Sequence, residues 1–357
     1  MNRTGHRSRD PAPVYGLREV TAALDRFGIE PTSVELISRT ENVVFAVGAG
    51  EAGRFVARLH RPGYNTLEEL ESEVAWVSSL ADDGVPVPRP VPMIEGGHHV
   101  PVVVDGTEHH LGVIEWVNGA PLRSAEVSDD DLVGHYRTIG VLAARIRAHG
   151  RRWSRPDGFV RRHWSTEAFF GAEPIWGRFW EVDGLTTPQR DLFSRARRRL
   201  ASVLDTISTD SDRYGLIHAD LHPGNIMING AMINGAMVNG AMVNGAMVNG
   251  GKEPRLSVID FDDSGFGWYA FELAVALHPI LGHNRFADAK AALIAGYREI
   301  VPISEPEVGL VDVFLVVRAL MLVGWLDGRR ELPAYQLLPE FAASAQSMIE
   351  SADDWFS

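Results

Sequence analysis

The sequence predicts an α+β fold in which a small antiparallel sheet is followed by a larger, mostly helical part. Short apolar segments separated by turn residues are typical of strands, and they occur at Val34–Ser38, Val43–Val47, Phe55–Leu59, Val100–Val104 and His110–Val117. One long helix is expected among them. Thr66-Leu-Glu-Glu69 has the pattern of a capping box, and apolar residues follow it at helical spacing to about Leu80.

Helical periodicity dominates after residue 118. Apolar residues recur at helical spacing in ranges near Thr187–Leu204, Tyr269–Leu281, Ala287–Ile300, Val308–Leu326 and Ala334–Ser351. Two short apolar strands, Ile226–Ile228 and Leu256–Ile259, interrupt these helices. We therefore expect a disordered tail at residues 1–15, a first lobe at 16–117 and a helical second lobe at 118–357.

A pentapeptide repeat lies between the two short strands of the second lobe. Copies of Ile/Val-Asn-Gly-Ala-Met run from residue 228 to a truncated copy that ends at residue 250. A period of five matches neither the strand nor the helix, so no face stays buried along it. Since each Asn-Gly can form a tight turn, we interpret residues 228–250 as an expanded hairpin connection without a catalytic role.

Composition narrows the possible functions. The chain has 357 residues and no cysteine, which excludes thiol catalysis, disulfides and thiolate metal sites. A net charge of −13 argues against nucleic acid or an anionic membrane as the main partner. The N-terminus lacks the apolar core of a signal peptide, so a cytoplasmic protein is expected. The sequence gives no indication of oligomeric state.

Two polar motifs, each beside one of the short strands, carry the chemical information. They are His218-x-Asp220-x-x-x-x-Asn225 and Ile259-Asp260-Phe-Asp262. Phosphoryl transfer needs a carboxylate that orients the attacking hydroxyl, and oxygen ligands that hold magnesium against the phosphates. Asp220, Asn225 and Asp260 supply that set, provided that the two strands pair and bring the motifs together.

These motifs resemble the catalytic and metal-binding loops of the aminoglycoside phosphotransferase and choline kinase superfamily, near its homoserine kinase, hydroxylysine kinase and stress-response kinase branches. The resemblance extends from about residue 34 to residue 281 and implies a two-lobed protein-kinase-like fold that uses ATP and magnesium. It implies that Asp220 is the catalytic base, that His218 braces its loop, and that Asn225 and Asp260 bind magnesium. Asp262 would be a second acidic group near the metal.

The resemblance also assigns residues of the first lobe to nucleotide binding. Arg58 stands where many relatives have lysine and would contact phosphates, paired with Glu73 of the capped helix, although Glu69 competes for that pairing. Ile114-Glu-Trp-Val117 resembles the segment that connects the lobes, where backbone groups of Glu115 and Val117 would bind adenine. Phe271-Glu-Leu-Ala274 stands where many relatives have Asp-Leu-Ala, so that Glu272 takes the place of the aspartate. Glu272 is expected to tie the start of its helix to the catalytic loop.

The acceptor is the open question. We expect a hydroxylated small molecule, aminoglycoside-like, an amino alcohol or a hydroxy-amino acid, with a protein serine or threonine as the runner-up. Aromatic faces attract cations, so an acceptor role for Trp153, Trp164, Trp176 and Trp180 competes with a simple core role. Two other classes stay open: a pseudokinase that binds nucleotide without transfer, and a metal-dependent hydrolase built on His218, Asp220, His222, Asp260 and Asp262.

Overall fold

The structure is a computed structural model that describes residues 15–122, 129–229, 232–233, 236–237 and 255–351. The predicted tail at residues 1–15 lies outside these residues except for Tyr15. The chain forms two compact units. The first comprises the described residues up to Val74 together with Arg89–Trp116, and the second comprises Ala75–Pro88 and the described residues from Val117 onward.

The first unit is built on a five-stranded antiparallel sheet with the order β1-β2-β3-β5-β4. Its strands are β1 Ser33–Arg39, β2 Val43–Gly48, β3 Arg54–Leu59, β4 His99–Val104 and β5 Thr107–Glu115. Helix α1, Leu17–Ala23, packs against β4 and β1. In β2 and β4, buried residues alternate with more exposed ones as a half-buried sheet requires, and the predicted strands are confirmed.

Helix α2, Leu67–Asp82, begins with the predicted capping box. The Thr66 N–H donates to Glu69 Oε2 over 2.9 Å, and the Glu69 N–H donates to Thr66 Oγ1 over 3.2 Å. These reciprocal bonds satisfy two of the N–H groups that a helix start leaves unpaired. The Glu69 carboxylate, which was one of the two candidates for pairing with Arg58, thus accepts a hydrogen bond at the start of its own helix.

The second unit is mostly helical, and its core contains apolar side chains from all of its long helices. Its helices are α3 Asp129–Arg152, α4 Thr166–Phe170, α5 Thr187–Leu204, α6 Tyr269–Leu277, α7 Phe286–Arg298, α8 Glu305–Asp327 and α9 Leu338–Ser351. Short 3₁₀ turns extend α6 at His278–Ile280 and precede α9 at Pro333–Leu337. The predicted helices are confirmed with small shifts of their ends, while α4 was not predicted.

Two small strand groups carry the polar motifs. Strand β8, Ile226–Asn229, pairs antiparallel with β11, Arg255–Val258, and with the two-residue strand β6, Ala120–Pro121. Residues 120–121 follow an Asn-Gly dipeptide that is typical of a turn, but their position beside β8 gives them a strand partner. A second pair, β7 Tyr214–Ile217 and β12 Gly265–Trp268, was missed. Its strands are short and glycine-rich, so they carry little strand signal.

Helix α8 is long and apolar enough to pass a length and hydropathy test for a membrane span. It packs against α6 and α9, and residues buried within the second unit make up 61% of its most apolar window. It also contains Arg318, which is 5% exposed and forms an ion pair inside the unit. Together these contacts identify α8 as a core helix of this unit.

The pentapeptide insertion follows the β8 end of the hairpin, at the pair Asn229 and Arg255. Of the repeat beyond Asn229, the structure describes β9 Met232–Ile233 and β10 Ala236–Met237, which pair antiparallel on either side of Asn234-Gly235. That pairing is what a two-residue Asn-Gly turn predicts. The remaining copies lie outside the described residues.

We expect that shortening the insertion changes phosphotransfer activity and stability little. Deleting residues 230–249 leaves one Asn-Gly dipeptide and keeps the β8 to β11 pair intact, and the free energy of loop closure varies only logarithmically with length. The measurement is a comparison of turnover and urea unfolding between the parent and the deletion variant. A large loss of turnover in a variant that unfolds like the parent would give the repeat a function.

Candidate active site

The catalytic loop predicted from the sequence connects β7 to β8. Ala219 has φ +64°, a left-handed conformation that is uncommon for a residue other than glycine and that concentrates at functional loops. Pro223–Asn225 forms a 3₁₀ turn, and the His222 Nδ1 atom accepts the Gly224 N–H over 2.9 Å. The loop is therefore a specific, hydrogen-bonded conformation in which Asp220 and Asn225 point toward each other.

Both oxygens of the Asp220 carboxylate are held by donors. Oδ1 accepts from Arg318 Nη2 over 2.5 Å, and Oδ2 accepts from Asn225 Nδ2 over 2.8 Å and lies 3.3 Å from His222 Nε2. Burial acts to raise the pKa of Asp220, but its interaction with His222 and the charge of Arg318 outweigh that effect and hold the pKa below its usual range. Asp220 is thus a fixed anion, suited to orient a hydroxyl rather than to act as a strong base.

Asn225 links this carboxylate to the second motif. Its Nδ2 donates to two oxygens of Asp220, the backbone oxygen over 3.0 Å and Oδ2 over 2.8 Å. These bonds point the amide nitrogen toward Asp220. The Asn225 backbone oxygen accepts the Ile259 N–H over 2.9 Å, one residue before Asp260. The backbone therefore brings the two motifs together, as their placement on adjacent strands predicts.

His218 joins the two motifs a second time. The ring is fully buried; its Nδ1 accepts the Asp220 N–H over 3.2 Å, and its Nε2 donates to the Ile259 oxygen over 3.0 Å. These bonds require the neutral tautomer that carries its proton on Nε2. The ring also packs edge-on against Phe261, with 4.5 Å between ring centroids. His218 thus has the contacts of a bracing residue.

Glu272, near the start of α6, holds the catalytic loop from the other side. Its Oε1 accepts the His218 N–H over 2.7 Å and its Oε2 accepts the Ala219 N–H over 2.8 Å, so the expected tie between helix and loop is present. The residue is 3% exposed. Burial raises the pKa of Glu272 to about 7, although the two backbone donors favour its charged form.

This raised pKa gives a stability prediction with a definite sign. Between the ordinary pKa of 4.5 and about 7, the folded protein keeps a proton on Glu272 that the unfolded chain has lost. The free energy of unfolding contributed by Glu272 therefore falls as pH rises through this window, by on the order of 3 kcal/mol. Urea unfolding of the parent and of Glu272→Gln, compared at about pH 5 and about pH 7.5, measures it. Parallel pH dependence in the two proteins would contradict the assignment.

The loop that follows Asp260 is fixed by Arg161, which is 3% exposed. Its guanidinium donates to the backbone oxygens of Phe261, Asp262 and Ser264 over 3.1, 2.7 and 2.7 Å. Asp260 itself has φ +67°. A buried cation that binds three carbonyl groups fixes the backbone directly after Asp260, and nothing in the sequence around Arg161 indicates that role.

The residues present fit a magnesium site of the kind that ATP completes. Magnesium prefers oxygen ligands and commonly takes only one or two from the protein, with phosphate oxygens and water for the rest. Because the Asn225 amide nitrogen is used by Asp220, its Oδ1 is the atom suited to a cation, and Asp260 adds a carboxylate. The hydrolase alternative requires a cluster of at least three His, Asp or Glu side chains around a metal. Among the described residues, no such cluster is present. Asp262 is 7% exposed, and its assignment as a metal ligand stays a prediction.

The first unit contains the predicted pair of Arg58 and Glu73. Arg58 Nη1 lies 3.7 Å from Glu73 Oε1, and both side chains are nearly buried. The Glu115 N–H donates to the Arg89 oxygen over 2.8 Å, so a contact of Glu115 with adenine would fall to its carbonyl. Val117 begins the second unit. The nucleotide contacts of these residues stay predictions.

The structure decides between the two roles considered for the tryptophans, and it adds an arginine that was not predicted. Trp164, Trp176 and Trp180 are at most 7% exposed and belong to the core of the second unit, so they do not form an open aromatic surface for an acceptor. Trp153 is only partly buried and packs on Phe159. Arg318 was missed, although an arginine within the apolar run Val313-Phe-Leu-Val-Val-Arg-Ala-Leu-Met-Leu-Val323 is an unusual feature that marks a buried charge.

Comparison with known proteins decides the class of this site. A family model described as phosphotransferase enzyme family matches residues 33–237, more than half of the chain. The chain belongs to this phosphotransferase family. The prediction of a kinase-like phosphotransferase that uses an alcohol acceptor is thereby confirmed.

Several solved structures and curated relatives that this phosphotransferase resembles are kinases. It superimposes on a microcompartment-associated aminopropanol kinase with a TM-score of 0.79 and 28% identity, over 94% of this chain and 97% of that one. This likeness confirms the two-lobed α+β fold. Amicoumacin kinase of Bacillus subtilis (strain 168) is 22% identical over 89% of this chain and 87% of its own length. Stress response kinase A of Salmonella choleraesuis (strain SC-B67) is 22% identical over 83% and 77%.

Proposed function

We propose that this phosphotransferase moves the γ-phosphate of ATP to a hydroxyl of a small amino alcohol or a related hydroxylated amine, with magnesium as the required ion. The observation that supports it most directly is the Asp220 carboxylate, fixed by Arg318, Asn225 and His222 beside an amide suited to bind a cation. Phosphoryl transfer depends on such positioning and electrostatics rather than on covalent catalysis by the protein.

In the proposed reaction, Asp220 accepts a hydrogen bond from the acceptor hydroxyl and turns its oxygen toward the γ-phosphorus. The bond from that oxygen to phosphorus forms as the bond between phosphorus and the leaving oxygen of ADP breaks. The hydroxyl proton passes to Asp220 and then to solvent. Because the pKa of Asp220 is held low, proton transfer follows bond formation rather than preceding it.

Asn225 and Asp260 would hold the magnesium ion, which neutralises the phosphate charge and orients the γ-phosphate when bound. The role of the chain is to fix those two ligands. The Asn225 side chain is fixed through Asp220, and the peptide before Asp260 is fixed through the backbone of Asn225 and through His218. Arg58, paired with Glu73, is the proposed phosphate contact in the first unit.

Similarity to the aminopropanol kinase supports an amino alcohol acceptor, because that structure covers nearly all of this chain at 28% identity. The acidic balance of the chain also suits a cationic small molecule. Similarity to stress response kinase A keeps a protein serine or threonine as the second candidate. We also propose a cytoplasmic location, where ATP and magnesium are available.

The test is transfer of labelled phosphate from ATP to separate acceptor pools, each with magnesium and with a chelator. The pools are short amino alcohols, aminoglycosides, hydroxy-amino acids, choline-like alcohols and a generic protein substrate. We expect magnesium-dependent labelling in the amino alcohol pool, with Asp220→Asn as the inactive control. Labelling of the protein pool alone would favour the second candidate. Nucleotide binding without transfer to any pool would favour a pseudokinase, and absence of nucleotide binding would end the proposal.

A further inference from the structure

Arg318 has a feature that its pairing with Asp220 does not explain. The side chain is 5% exposed, and Nη2 donates to Asp220 Oδ1, but Nη1 is buried without a hydrogen-bond partner among the residues that the structure describes. A buried donor of a charged group that lacks a partner is costly, so proteins rarely keep one without a reason. A ligand that supplies the missing acceptor is one such reason.

The surroundings of Arg318 indicate what kind of ligand atom is missing. Asp220 balances its charge, while the nearby Glu272 carboxylate is occupied by the N–H groups of His218 and Ala219. The guanidinium lies over the Trp176 ring, with 4.6 Å from Cζ to the ring centroid. Contact with an aromatic face stabilises the cation without using its N–H donors. Trp176 therefore leaves Nη1 available to an incoming oxygen.

The position of Nη1 narrows the ligand further. A planar guanidinium holds Nη1 and Nη2 side by side, so Nη1 lies next to the carboxylate that receives the acceptor hydroxyl in the proposed function. The phosphorus atom under attack is the next atom along from that hydroxyl oxygen. In the loaded enzyme, the nearest anionic oxygens of the ligand would therefore be those of the transferring phosphoryl group.

We propose that Arg318 is a catalytic residue that binds an oxygen of the transferring phosphoryl group through Nη1 while Nη2 holds Asp220. The inference rests on the proposed function and extends it. A single side chain would then contact both the carboxylate that orients the acceptor hydroxyl and the negatively charged phosphoryl group that is transferred. In other phosphoryl-transfer enzymes, an arginine supplied within the same chain stabilises the negative charge of the transition state.

The test compares the affinity of ADP with that of the ATP analogue AMP-PNP, both with magnesium, by calorimetric titration. Because Nη1 contacts the γ-phosphate in this proposal, we expect the parent to bind AMP-PNP more tightly than ADP. We expect Arg318→Lys to lower the ratio of the two affinities by about 10-fold to 100-fold. A lysine keeps a charge for Asp220, but its ammonium is a single point and cannot span two separated partners as the planar fork of an arginine does. The turnover number is expected to fall as well.

Arg147→Lys is the matched control. Arg147 is 4% exposed, lies in the same unit and stacks on Tyr269 at 4.3 Å, but it bonds Tyr297 and the Asp212 backbone. It is expected to lose stability and to keep the nucleotide preference. An Arg318→Lys variant that loses turnover but keeps the parent's preference for AMP-PNP would overturn the proposal and leave Arg318 as a positioning residue.

A second measurement does not depend on the folding of a variant. In a crystal structure of the parent with AMP-PNP and magnesium, Nη1 is expected within about 3.2 Å of a γ-phosphate oxygen. A longer distance in that complex, with Nη1 bonded to the acceptor or to protein instead, would contradict the inference while nucleotide binding still supports the proposed function. A parent that binds neither nucleotide would end both.

Discussion

Asp220→Asn is expected to lower the turnover number by about 10²-fold to 10⁴-fold, because the variant can no longer take the proton of the acceptor hydroxyl. The amide also has only one acceptor oxygen, whereas Asp220 meets donors on both oxygens, from Arg318 on one side and Asn225 on the other. The acceptor hydroxyl therefore loses its orientation as well as its proton acceptor.

The structure adds a cost in stability that the sequence did not indicate. Removing the negative charge leaves the buried Arg318 guanidinium unpaired, and breaking a buried ion pair commonly costs about 3–5 kcal/mol. Turnover must therefore be measured per folded molecule, at a temperature below the unfolding transition of the variant.

Asp312→Asn is the control for the loss of an ion pair. Asp312 lies on α8, as Arg318 does, and pairs with Lys290 on α7 in a half-buried position. This variant is expected to lose some stability and to keep its turnover number. If Asp220→Asn turned over at the rate of Asp312→Asn under the same conditions, Asp220 would have no catalytic role.

The parts of this fold that could be predicted are those that local sequence encodes. The strands of the first unit alternate in burial, and the capping box at Thr66 marks the start of α2, so both were predicted close to their observed ends. The same residues bear on a question that the sequence left open. Glu69 caps the helix start, and Glu73 forms an ion pair with Arg58.

The contacts that could not be predicted join residues far apart in the chain. Arg318 follows Asp220 by 98 positions, and Arg161 precedes the loop oxygens that it binds by about 100. These separations lie far outside helical or strand spacing, so local patterns carry no information about the contacts. The motif residues themselves were predicted because the short hairpin of β8 and β11 brings them together.

Asp260→Asn is expected to raise the magnesium concentration needed for half-maximal activity and to lower kcat/KM by more than about 100-fold. Asparagine tolerates the left-handed backbone that Asp260 adopts at φ +67°, so the substitution removes a charge without disturbing the loop. A neutral amide is a weaker magnesium ligand than a carboxylate. The measurement is a magnesium titration of phosphotransfer, together with thermal unfolding at each magnesium concentration in the presence of ATP.

Asp105→Asn is the matched control, since Asp105 is the other aspartate with a left-handed backbone among the described residues, at φ +48°. It is expected to keep the parent's magnesium dependence. Asp262→Asn separates the two acidic positions of the motif: a shift equal to that of Asp260→Asn would make Asp262 a second ligand, and no shift would restrict the role to Asp260. If Asp260→Asn itself kept the parent's magnesium dependence, the ion would have to be held elsewhere, and Asn225 alone could not account for a metal-dependent reaction at Asp220.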